Sequence, residues 1–120
     1  MIHPSAIVAS TARIGEGVVI CPFSLVSDGV KIDDFAMLNY YASCGHDAEI
    51  GAYSILSPYA TVNGMSCLED EVFMGTHSTV TARRRVGHRA KINANSVAMQ
   101  DVAPRCLVIG VPGKSHAIFV

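Results

Sequence analysis

A chain of 120 residues with a formal net charge of −1 has room for one domain and lacks the positive field that draws nucleic acid. Half of the residues are hydrophobic, too many for a disordered chain, yet no apolar run approaches the ~20 residues that span a bilayer. The opening "MIHPSAIVAS" lacks the basic start and long apolar stretch of a signal peptide, and the cysteines at 21, 44, 67 and 106 form no CxxC pair, so reduced thiols in a cytoplasm are expected.

From Ile2 onward an aliphatic residue returns every six positions. The series runs Ile2, Val8, Ile14, Ile20, Val26, Ile32, Leu38, Cys44, Ile50, Leu56, Val62, Leu68, Met74, Val80, Val86, Ile92, Ala98. Neither an α-helix, with its period of 3.6, nor an ordinary alternating strand predicts a period of six. Four residues after each aliphatic stands Ala, Ser or Val, with Arg84 the one exception. One residue after it come Gly15, Gly45, Gly51, Gly75 and Gly87, with Asp33, Asn39, Asn63 and Asn93. These types tolerate positive φ, so bends are expected there. Each hexad reads as a short strand and a corner. The aliphatic and the small residue two places before it both face inward, because side chains alternate across a strand. By that phase Arg84 points inward and needs a partner or a local distortion. Stacking such hexads gives an all-β solenoid whose open ends need caps. Residues 1–4 and the tail after Pro104 are the candidates.

In chain order, four stretches carry a further likeness: "IHPSAIVASTARIGEGVVI" (2–20), "NYYASCGHDAEIG" (39–51), "LSPYATVNG" (56–64) and "VIGVPGK" (108–114). The hexads and these segments resemble the left-handed parallel β-helix, or hexapeptide-repeat, acyltransferases. Within them the chain is similar to the branch of sialic acid O-acetyltransferases and UDP-amino-sugar N-acetyltransferases. The likeness implies three hexads per coil, left-handed winding, and a single domain of five to six coils over 1–103 with a capping tail over 104–120. It implies acetyl-CoA as co-substrate, and a sugar or nucleotide sugar whose amino or hydroxyl group takes the acetyl. It also implies a homotrimer with sites between subunits. Family members usually carry an N-terminal βαβ domain that helps hold the nucleotide sugar, whereas this chain begins at the first coil. Other departures are Gly45 where the family has Glu, Ile55 where it has a second His, Tyr59 in place of a Gly, and "TARRRVG" in place of a Pro-Gly-Val-Lys corner.

Acyl transfer needs a base, oxyanion donors and a held acyl-CoA. The resemblance makes His46 the base, Asp47 its orienting partner and Asn39 a hydrogen-bonding partner of substrate or base. Gly64 would present its N–H to the acyl carbonyl, while Gly75 and Ala82 would touch the pantetheine arm. Arg83 lies in a late basic cluster suited to the phosphates of CoA, and Lys114 of the closing motif is a phosphate ligand. Cys44 stands in an aliphatic position and reads as core, not as a nucleophile. Tyr40, Tyr41, Tyr53, Tyr59 and Phe73 exceed what a slim prism can bury, so some face outward.

Two other readings compete. A γ-carbonic-anhydrase-like site would need clustered histidines, but at three hexads per coil His46, His77 and His88 fall on different sides, and no H-x4-H pair is present. No metal is therefore expected. A non-catalytic scaffold is the other, favoured by Ile55 and Tyr59.

Overall fold

In the computed structural model, which describes residues 1–118, the chain is a three-sided parallel β-solenoid measuring 37 × 24 × 21 Å. Two-residue strands run from Ile7–Val8 to Val97–Ala98. Each pairs in parallel with the strand 18 residues away, as in Val26 with Cys44 and Ile32 with Ile50. Three hexads therefore make one coil. The first face holds Ser43–Cys44 and its congeners, the second Glu49–Ile50 and its congeners, and the third Ile55–Leu56 and its congeners. Three edges separate them. His46 stands on the edge between the first and second faces, and Asn39 on the edge between the third and first.

The inward aliphatics form one continuous core. Ile20, Leu38, Leu56, Val62, Met74 and Ile92 are each 0 % exposed. Small residues fill the interior angles: Ala42, Ala48, Ala60 and Ala90 are buried, and so are Ser24, Ser54, Ser66, Ser78 and Ser96. The buried hydroxyls are bonded at the corners. Ser24 donates to Asn39 O at 2.8 Å, and Ser66 to Thr81 O at 2.7 Å. Such bonds offset the cost of removing a hydroxyl from water.

The bends differ from the sequence expectation. Glycines and asparagines one residue past the aliphatic do not have positive φ. The left-handed slot lies two residues later and recurs at every sixth position from Gly17 to Asn95. It is filled by Phe23, Phe35, Tyr41, Asp47, Tyr53, Tyr59, Met65, Glu71, His77, Arg83, Arg89 and Asn95, besides Gly17 and Gly29. A left-handed residue costs about 1–2 kcal/mol. Here its N–H donates to the coil below, as Tyr59 does to Tyr40 O (3.0 Å) and Met65 to His46 O (2.9 Å). The earlier glycines answer a different need. A Cβ on Gly45 would sit 2.6 Å from Gly64 N, and one on Gly75 2.6 Å from Ala94 N, so close coil-to-coil approach selects them.

The register shortens by two residues after Ala98. Val102 pairs with Val86 and Val108 with Ile92. Arg84 lies beneath this shortened turn, and its side chain leaves the interior to approach Asp101 at 3.9 Å, 34 % exposed. The inward charge is thus avoided by distortion. The tail adds Cys106–Ile109 to the third face, and Lys114–Ala117 folds back on it antiparallel as the new edge strand of that sheet.

Leu56 sits mid-stack with no exposure, so truncation leaves a cavity that neighbouring coils cannot fill. Leu56→Ala should lower unfolding free energy by about 2–5 kcal/mol in chemical denaturation, with the fold retained by circular dichroism.

Candidate active site

The left-handed φ of +59° at Asp47 turns its carboxylate back toward the preceding residue. Its Oδ2 lies 3.2 Å from His46 Nδ1. An ionised carboxylate can only accept, so this contact calls for a proton on Nδ1, which in the neutral ring leaves Nε2 with its lone pair. Nε2 points at the coil above, where a Cβ on Gly64 would lie 2.6 Å away. Any side chain at 64 would press on the ring. Both members of the pair are open to solvent in the single chain, 64 % and 58 % exposed.

The ring lines a groove of about 730 Å³ along this edge, with Asp28 below it, Asn63, Gly64 and Met65 above, and Ala82 and Arg83 one coil further. His46, Gly64 and Ala82 are 18 residues apart and form a column. Among the described residues, the N–H groups of Gly64 and Ala82 have no intramolecular partner and border the groove. On the edge between the second and third faces some of the corresponding N–H groups are taken by carboxylates: Ala52 N–H by Asp70, and Glu16 N–H by Asp34. Among the described residues the Gly64 and Ala82 donors are left free, as are those of Tyr40, Thr76 and Ala94 on the Asn39 edge, but only the former stand in the column of His46. Asn63 turns away from this role, donating through its side-chain amide to Val80 O at 3.1 Å.

Within one chain the structure brings together His46, Asp47, Gly64, Ala82 and Arg83, and does not bring Asn39, Gly75 or Lys114 to them. Asn39 and Gly75 belong to the edge between the third and first faces, and the Gly75 N–H is spent on Ile92 O. Lys114 opens the final strand of the third face. The spacing carries this partition: 46, 64 and 82 differ by multiples of 18, as do 39 and 75, but the two sets do not. The same arithmetic would have found Asp28 and Met65, which the sequence reading omitted.

Asn39's edge carries an exposed aromatic column. Phe23, Tyr41, Tyr59 and His77 stack with ring centroids 5.1, 4.8 and 4.6 Å apart. Tyr40, Tyr53 and Phe73 are exposed as well, as expected for so slim a prism. His77 is thus a stacking residue, and His88 lies on the third edge, where its N–H donates to Glu69. The three histidines stand on three different edges, and among the described residues no group of three metal-ligating side chains converges.

Buried Cys44 is fully desolvated, and its thiol is pushed up to about 12, which rules out a thiolate at neutral pH. Burial likewise raises Cys67. On the second face the Arg85 guanidinium bonds the Glu69 carboxylate at 2.6 Å. With the His88 N–H, it holds that carboxyl below its ordinary range.

No protein-family model matches the chain. Among curated relatives, GDP-perosamine N-acetyltransferase of Escherichia coli O157:H7 is 33% identical over 78 residues, 65% of this chain and 35% of that protein. Among solved structures, the acetyltransferase domain of PglB from Neisseria gonorrhoeae superimposes with a TM-score of 0.95 at 29% identity, over 97% of this chain and 57% of that one. PerB from Caulobacter crescentus, solved with CoA and GDP-perosamine, gives 0.94 at 31% identity, over 96% and 56%. The chain thus spans little more than half of these solved chains and about a third of the curated relative. Superpositions this close require the same hand of winding. With the 18-residue coil, the stacked hexads and the likeness to these enzymes, the chain belongs to the hexapeptide-repeat β-helix acetyltransferases.

Proposed function

We propose that this chain transfers the acetyl group of acetyl-CoA to the amino group of a nucleotide-linked sugar. The observation that carries the reading is the His46 ring, fixed by Asp47 at Nδ1 and open at Nε2 beside Gly64. Its similarity to PerB, which was solved with CoA and GDP-perosamine, supports the choice of substrates. The neisserial PglB domain has likewise been solved with acetyl coenzyme A.

His46 Nε2 takes the proton of the acceptor amine as nitrogen attacks the thioester carbonyl. The C–N bond forms, and negative charge gathers on the carbonyl oxygen, which the free Gly64 N–H is oriented to meet. The C–S bond then breaks, and the imidazolium returns a proton to the departing thiolate. No acyl-enzyme is required. The Ala82 N–H, one coil further along the edge, suits an amide carbonyl of the pantetheine arm, and Arg83 suits a phosphate.

Asn39, Gly75 and Lys114 enter through a second copy. Outward side chains of the third face include Ile55 and Phe73, those of the first Ile7 and Leu25, and the edge between them is the aromatic column. The second face instead carries Arg13, Lys31, Glu49 and Arg85. This asymmetry suits burial of the first and third faces in a homotrimer, with the His46 groove of one copy roofed by its neighbour.

His46→Ala should lower kcat by ~10²–10⁴ with the fold intact, measured by CoA release with an amino-sugar nucleotide as acceptor; unchanged turnover would remove His46 from the mechanism. Lys114→Ala should raise KM for acetyl-CoA roughly tenfold or more. If the groove is shared between copies, co-refolding equal amounts of the two variants should restore about a quarter of wild-type sites. Activity no greater than the average of the two parents would place the whole site within one chain.

A further inference from the structure

Gly29 stands on the His46 edge one coil below Asp47, with φ of +71°. That angle does not explain the glycine, because Phe23 and Phe35 take the same conformation at the neighbouring slots. What sets position 29 apart is space. A Cβ built there would overlap Asp47 Oδ1 and lie 3.2 Å from its Cγ. Gly17 makes a useful contrast. It has φ of +69° on the edge between the second and third faces, and its Cβ would overlap the Phe35 ring.

We infer that Gly29 is a positioning residue for the reaction proposed above: the space left by its missing side chain is where the Asp47 carboxylate rests, so that Oδ2 reaches His46 Nδ1. The inference rests on the reading of His46 as base. The floor beneath the carboxylate is itself fixed. Gly29 N–H donates to Thr11 Oγ1 at 3.0 Å, and Thr11 Oγ1 donates to Asp28 Oδ1 at 3.0 Å. Asp47 N–H donates to Asp28 O at 2.9 Å. A methyl at 29 therefore cannot be absorbed by the coil below, and the carboxylate must move. The charged groups facing the ring are Asp47 beside it, Asp28 below and Arg83 above; of these, Asp47 alone bonds Nδ1. Without that bond the neutral ring reverts to carrying its proton on Nε2, the nitrogen that must act as base.

Ring ¹⁵N NMR of His46, read alongside turnover, tests this on the full chain with Gly29→Ala, Asp47→Ala and Gly17→Ala. Gly29→Ala should move the neutral ring from the Nδ1–H to the Nε2–H tautomer, as Asp47→Ala does. It should lower kcat about tenfold with little change in KM. Gly17→Ala, with the same backbone conformation on another edge, should leave tautomer and kcat unchanged. Both glycine variants should lose a similar few degrees of Tm, about 2–8 °C. On the Asp47→Ala background, Gly29→Ala should change neither tautomer nor kcat further. A retained Nδ1–H tautomer in Gly29→Ala would overturn the inference, and so would an equal kcat loss in Gly17→Ala. A tautomer shift without loss of kcat, alongside an active His46→Ala, would instead sink the base assignment and leave the positioning role standing.

Discussion

The whole molecule depends on one hydrogen bond repeated at each corner from Phe35 to Asn95. A residue held in the left-handed conformation donates its N–H to a carbonyl 19 residues earlier, as Asp47 does to Asp28 O and Arg83 to Gly64 O. That bond, worth about 1 kcal/mol, roughly offsets the cost of the conformation. It also locks each coil over the one below, so that residues 18 apart become neighbours. Strands of two residues could not persist alone. They survive because all but the terminal ones are paired on both sides, and because the aliphatic beneath each is sealed by neighbouring coils.

This locking explains what the sequence disclosed and what it hid. Inward positions were legible because only aliphatic and small residues fit the interior angle, so Leu56 and Ala60 announce themselves. The corner slot was not. Intrinsic preference favours Gly or Asn for positive φ, yet the slot holds Phe, Tyr, Met and Arg, because the coil-to-coil bond overrides preference and the outward side chain has free space. The glycines that drew attention, such as Gly45 and Gly75, serve close approach instead. The two-residue shortening after Ala98 was also hidden, since the aliphatic series simply ends there. Arg84 was its one trace: a charge in an inward phase announced a distortion without saying where it lay.

The candidate site was legible in a different manner. His46 stood out through the likeness of its segment to a known family, not through hexad spacing, which would equally allow a solvated turn. The partition of site residues between two edges follows from arithmetic, since positions 46, 64 and 82 share an edge that 39 and 75 do not. The pairing of Asp47 with His46 came from the likeness and not from strand geometry. Adjacent residues in an extended strand point apart, and only the left-handed φ at 47 brings the carboxylate back to the ring.

An exposed histidine–carboxylate pair in high dielectric contributes little by itself. His46 and Asp47 are both more than half exposed in the single chain, so their pairing gains strength only when the groove is covered. In the homotrimer proposed above, a neighbouring copy is that cover. The second face carries Arg13, Lys31, Glu49 and Arg85, while outward residues of the other two include Ile7, Leu25, Ile55 and Phe73, with Lys91 on the third. A neighbouring copy that buries those apolar faces also removes water from the His46 edge. It would thereby strengthen the Asp47 bond at Nδ1 and give the free N–H groups of Gly64 and Ala82 a desolvated partner to meet. On this view assembly and catalysis draw on the same feature: the 18-residue period that aligns apolar side chains down two faces also aligns the base and its donors along one edge.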